Sequence, residues 1–100
     1  MRRWLAALAF VPALAWGDCL SHEARGDFTE LAMLVADMQK AGASERHMLE
    51  EARQSGAPGT EAAMLEAVNL IYGPSSVTLS TVVTMMQRAC RNATQPPPPH

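Results

Sequence analysis

The chain has 100 residues, of which 48% are apolar, 18% charged and 5% aromatic, with a formal charge of -2. That length holds a single domain, and the charge balance suits neither a nucleic-acid-binding surface nor an acidic disordered tail. Beyond the N-terminus there is no apolar run of the roughly 20 residues that a membrane-spanning helix requires, so stable membrane insertion of the remaining chain is not expected.

Residues 1–17 read MRRWLAALAFVPALAWG. Arg2 and Arg3 form a short positive segment, Trp4 to Leu14 an apolar run of secretory length, and small residues follow at alternate positions. This is the pattern of a signal peptide. Ala13 and Ala15 fit cleavage before Trp16, while Ala15 and Gly17 fit cleavage before Asp18. The second is preferred because Asp18 marks the change in composition. Asp18 also precedes Cys19 where a lipid-attachment site needs a small residue, so a lipoprotein is not expected. The leader implies a periplasmic or secreted protein.

Cleavage before Asp18 leaves 83 residues with six basic and ten acidic side chains, a formal charge of -4. Both tryptophans go with the leader, and Phe28 and Tyr72 are the aromatics that stay. A domain so small and so poor in bulky side chains needs a staple. Cys19 and Cys90 are its only cysteines, and an oxidising compartment would join them. Their spacing fits neither a redox pair nor a metal site, both of which use closely spaced thiols or further ligands.

Leu20 to Ala41 carries apolar residues at 20, 24, 28, 31, 34/35 and 38, the spacing of one helix face. Ser21 can cap its start and Gly42 end it. Asp27 and Glu30 offer a competing capping box, with residues 20–26 then a separate turn. Ser44 is placed to cap a short helix over Glu45 to Ser55, with Met48, Leu49 and Ala52 on one side and charged residues on the other. This segment is expected at the surface, as the helix most easily displaced.

Thr60 is the expected cap of a third helix, Glu61 to Tyr72, closed by Gly73-Pro74. Ser75 or Ser76 opens a fourth, Val77 to Arg91, whose apolar face is Leu79, Val82, Val83, Met86 and Cys90. The β-branched start VTLSTVVT also alternates, which leaves a strand as the competing reading. The end, TQPPPPH, reads as a proline-rich flexible tail. The domain plan is therefore signal peptide 1–17, helical domain 18–92 and tail 93–100.

The fold expected is all-α: a small antiparallel bundle of about four helices closed by one disulfide. Successive helices joined by short loops alternate in direction, so an even number returns the chain to the end where it began. Cys19 and Cys90 then lie at the same end. An odd number of full-length helices would separate them by the length of a helix, at about 1.5 Å per residue.

The polar residues suggest little chemistry. His47 and Glu51 stand four apart, with Glu50 beside them, but the chain has no HExxH-type motif and the pattern fits an ion pair on a helix face. His22-Glu23 reads as a polar helix start. The serines sit where caps and turns need them, and no nucleophile motif surrounds any of them. Arg25-Gly26-Asp27 spells an adhesion tripeptide inside or at the start of a helix, and Asn92-Ala93-Thr94 a glycosylation sequon. No enzyme activity, cofactor or metal is expected.

Methionine is the compositional anomaly, with six in the 83 residues, at 33, 38, 48, 64, 85 and 86. They do not form the clustered arrays that copper carriers use. Two readings stay open: flexible core filler, or an adaptable apolar surface for a protein partner exposed around Met48 and Leu49 when the second helix moves.

The cysteine after the leader, the break at Arg25-Gly26, the stop at Tyr72-Gly73-Pro74 and the final cysteine together resemble a loose group of small, largely uncharacterised proteobacterial secreted helical proteins. The architecture also resembles the small acid-stress chaperones of the enterobacterial periplasm, although the cysteines here lie nearer the two ends. The function expected is that of a non-enzymatic periplasmic or secreted protein binding a protein partner through an apolar, Met-rich helix face. The alternatives are an accessory subunit of a cell-envelope assembly or an acid-stress chaperone-like protein.

Overall fold

The structure, a computed structural model, describes residues 19–94. Four helices follow one another in it: α1, His22–Lys40; α2, Glu45–Arg53; α3, Pro58–Ile71; and α4, Leu79–Thr94. The expected all-α bundle forms, and there is no strand among the described residues. The leader with its cleavage residues Ala15, Gly17 and Asp18, and the prolines of the tail, lie outside the described residues.

α1 begins at its first cap, where the Ser21 hydroxyl accepts from the Ala24 N–H at 3.0 Å. The competing start at Asp27 is not used, and the helix runs through Gly26 without a break. Leu20, expected on the apolar face, precedes the helix and is 54% exposed. Gly42 ends the helix with φ +98, a conformation that side-chain-bearing residues rarely adopt. α2 starts as expected, with the Ser44 hydroxyl accepting from the His47 N–H at 3.1 Å. It stops at Arg53, two residues short of the expected end.

α3 departs from expectation at its start. Thr60 is not its cap: the helix begins at Pro58, and Thr60 lies inside the first turn, fully buried. Proline fits the first helical position because its missing N–H has no intrahelical partner there and its φ is already helical. Gly73 follows the helix where a Cβ would approach the Asn69 carbonyl oxygen to 2.9 Å, a contact that only glycine avoids.

α4 is capped by Thr78 rather than Ser75 or Ser76. Its hydroxyl accepts from the Thr81 N–H at 3.2 Å, and its carbonyl accepts from the Val82 N–H at 3.1 Å. The helix continues to Thr94, three residues beyond the expected Arg91. Val82, Val83, Met86 and Cys90 are buried as the spacing predicts, but Leu79 is 42% exposed because it opens the helix at the rim of the bundle.

Three long helices and one short one satisfy the alternation of directions. α3 packs on α4, α1 and α2, and α1 packs on α4. Cys19 and Cys90 meet at one end of the bundle, joined as a disulfide with their Cα atoms 5.8 Å apart. Both are buried. The core around Phe28 is filled by Met48, Met64, Met86 and small aliphatic side chains, all without appreciable exposure.

Candidate functional site

The two ends of the bundle differ in character. At the closed end, Gln87 is 7% exposed on a helix face that is otherwise apolar. Its Nε2 donates to the Cys19 carbonyl at 3.0 Å and to the Ser21 carbonyl at 3.4 Å, while its Oε1 accepts from Arg25 Nη1 at 3.0 Å. Arg25 also donates to the hydroxyls of Thr84, at 3.2 Å, and Ser80, at 3.0 Å. The start of α1 is thus tied to α4 by one disulfide and one guanidinium.

These five acceptor groups are neutral, so acid does not remove them. Gln87→Ala is expected to destabilise the fold by about 1–3 kcal/mol, because it leaves the Cys19 carbonyl and the Arg25 guanidinium short of partners. Arg25→Ala in the same background should add less than it does alone, a coupling that urea titrations of the single and double variants would measure. Strict additivity would mean that the two side chains act separately.

The opposite end is open. Ala32, Ala36 and Gln39 of α1, Leu70 and Ile71 at the end of α3, Val82 of α4 and the connector Gly73–Val77 with Leu79 surround a cleft of about 370 Å³. Its lining is divided about evenly between polar and apolar surface. Its rim carries Ser75, Ser76 and Gln39, and Val77 and Leu79 expose 37% and 42% of their surface beside it. The Gln39 Nε2 donates to the Ile71 carbonyl at 3.2 Å and holds the ends of α1 and α3 together.

Near this end the Tyr72 hydroxyl donates to the Ala43 carbonyl at 2.7 Å, which fixes the α1–α2 turn against α3. Desolvation, and then the negative charge of Glu45, raise the Tyr72 pKa above its ordinary 10.0. The folded state therefore favours the protonated phenol. The resulting stability is complete below the unfolded pKa of about 10 and is lost as the pH rises through the higher folded value. Tyr72 is the one tyrosine, so tyrosinate absorbance reports it alone. It should titrate at higher pH in the folded chain than in urea; coincident curves would refute this assignment.

The residues singled out in the sequence are scattered. His47 Nε2 lies 3.7 Å from Glu51 Oε1, but Glu50 turns to Arg46, at 3.9 Å, and both pairs are on the surface of α2. His22 and Glu23 are exposed at the start of α1. No group of three or more His, Cys, Asp or Glu side chains suited to a metal gathers among the described residues. Arg25 of the Arg-Gly-Asp sequence is committed to α4. The sequon lies in the last turn of α4, where the Thr94 hydroxyl donates to the Cys90 carbonyl at 3.0 Å.

The methionine surface expected on displacement of α2 is covered in the folded chain. Met48 is fully buried against α3 and Leu49 is half-buried, so neither forms an open partner surface in the folded chain. Met64 and Met86 are buried as well, and Met33, at 51% exposure, is the exposed exception.

Sequence reasoning missed Gln87 and the cleft. Gln87 had a signal, since it follows Val83 by four and precedes Cys90 by three, a polar side chain within an apolar stripe. The cleft had none: Leu79 read as part of an ordinary apolar helix face.

Fold and site together define, over the described residues, a small disulfide-closed bundle of four helices with a cleft at its open end. Compared with known protein families, with curated proteins and with solved structures, the chain matches none.

Proposed function

We propose that this chain is an exported, non-enzymatic binding protein that engages a protein partner through the cleft at the open end of its bundle. The observation that carries this reading is the cleft itself, with Val77 and Leu79 held exposed at its edge by a bundle closed at the other end. It replaces the methionine face expected from composition. The leader pattern and the buried disulfide support export to an oxidising compartment. The hydroxyls of Ser21, Ser44 and Thr78 serve as helix caps and those of Ser80 and Thr84 hold Arg25, which favours binding over catalysis.

The test is affinity capture with the oxidised mature domain and with its Leu79→Asp variant. Leu79 is exposed, so the charge should leave the fold intact, as circular dichroism would show. A partner retained by the native domain and reduced at least about tenfold by the variant is expected, because a buried unpaired carboxylate is strongly unfavourable. Equal recovery by both proteins would overturn the assignment of the cleft.

A further inference from the structure

Among the described residues, α4 is the helix without a carboxylate; the acidic side chains of the bundle lie on α1, α2 and α3. Ser80, Thr84, Arg88 and Arg91 are all exposed on α4. At about 3.6 residues per turn they fall within about 80° of one another, in a row about 16 Å long. The row starts beside Leu79 at the rim of the cleft and ends beside the disulfide at Cys90.

Arg25 of α1 lies against the same row. Its guanidinium donates to Ser80, Thr84 and Gln87, all neutral acceptors, so these hydrogen bonds leave its charge unbalanced. The Ser80 and Thr84 hydroxyls that accept from it each keep a proton of their own to donate. The carboxylates of α1, on Glu23, Asp27, Glu30 and Asp37, stand at least about 120° around that helix from Arg25. The ion pairs among the described residues are Arg46–Glu50 and His47–Glu51, both within α2. Three arginines of an acidic chain therefore share one face, with no partner charge among the described residues.

We propose that this row docks an acidic segment of the protein partner, with an aliphatic residue of that segment at the Leu79 rim. The inference rests on the binding reading above and names the charge of the partner. Opposite charges meeting along the row would steer the encounter and fix its orientation, and would weaken as salt rises. A local acidic segment suits the row better than an extended polyanion does. Nucleic acid or an anionic membrane is negative over a wider area, and the carboxylates of α1, α2 and α3 would repel whatever reaches past the row.

Two blocked peptides of about twelve residues test the proposal. One carries a leucine near one end followed by glutamates, and its copy has glutamine at every glutamate position. Both are titrated into the oxidised mature domain at low salt. Amide chemical-shift changes at Ser80, Thr84, Arg88 and Arg91, and a change at Arg25 Nε, are expected with the glutamate peptide alone. Raising the salt to about 0.5 M should weaken its binding at least about tenfold. Arg88→Gln with Arg91→Gln should weaken it to a similar extent while circular dichroism stays native, and Arg88→Lys with Arg91→Lys should keep most of the affinity. Equal responses to the two peptides, shifts that bypass the row, or no shift at all would overturn the proposal.

Phosphatidylglycerol vesicles and a DNA duplex serve as the competing polyanions. If either binds the row more tightly than the glutamate peptide, its occupant is not an acidic protein segment and the proposal fails. The two readings also fail separately. Capture of a partner that is lost with Leu79→Asp but unchanged in the double glutamine variant keeps the cleft and removes the row. The reverse pattern keeps the row and overturns the assignment of the cleft.

Discussion

Replacing Cys19 and Cys90 by alanine should lower the stability of the folded chain by about 4 kcal/mol. The bridge spans a sequence separation of 71, and in the chain-entropy model a loop of that size restricts the unfolded ensemble by about this amount. For a domain of this size each kcal/mol corresponds to about 4–8 °C, so the melting temperature is expected to fall by about 15–30 °C. The consequence is severe because small domains have little stability in reserve. Thermal melts of the native and double-alanine chains, followed by helical circular dichroism, provide the measurement. A shift below about 5 °C would show that helix packing alone holds the fold and that the pair is dispensable.

The second large effect is expected at Phe28. It has no exposed surface and is the largest of the fully buried side chains, in a core otherwise built mainly from methionine, valine and alanine with Leu31 and the disulfide. Phe28→Ala removes the apolar contact of a whole ring and leaves a cavity, with an expected loss of about 3–5 kcal/mol. Phe28→Leu should recover most of it, because methionines at 48, 64 and 86 can shift to fill the remaining space. Urea denaturation of the two variants separates these outcomes. A loss near 1 kcal/mol for the alanine variant would mean that the methionines close the cavity unaided.

These two effects are connected through the same scarcity. With Phe28 and Tyr72 as the aromatics of the described domain, little of the core is supplied by large rings, and Tyr72 is only half-buried. Methionine supplies volume without a fixed shape. The disulfide and the Arg25–Gln87 tie supply the fixed geometry at the closed end, and the cleft lies at the end that lacks both.

Much of the fold was legible because its determinants are local. Ser21 and Ser44 sit one residue before helices that begin where they predict, and Gly42 ends α1 through a conformation its neighbours avoid. The pairing of Cys19 with Cys90 followed from their being the only cysteines, and an even number of helices places them at the same end. The errors were also local in origin. Thr60 looked like a cap because threonine often is one, but Pro58 two residues earlier supplies a better start. Ser75 and Ser76 gave way to Thr78 for a comparable reason, since the hydroxyl that reaches an unpaired N–H depends on where the connector leaves the bundle.

The candidate site was far less legible. Leu79 carries the same apolar signal as Val82 and Val83, and periodicity places it on their helix face without saying whether another helix covers it. Here α3 ends at Ile71 and α4 starts at Leu79, so the rim is left uncovered at one end. Arg25 shows the opposite case. In the sequence it belongs to an adhesion-like tripeptide, and in the fold it spans from α1 to three side chains of α4 more than 50 positions away.

From its amino-acid order alone, this protein's helical class, number of helices, turn positions and disulfide partners could be derived, because caps, turn residues and apolar spacing act within a few positions. Tertiary structure alone decided which apolar side chains are covered, which polar ones cross between helices and where the cleft lies. The physical reason is that burial and long-range hydrogen bonding depend on how helices of unequal length end against one another. Those ends meet only once the chain is packed.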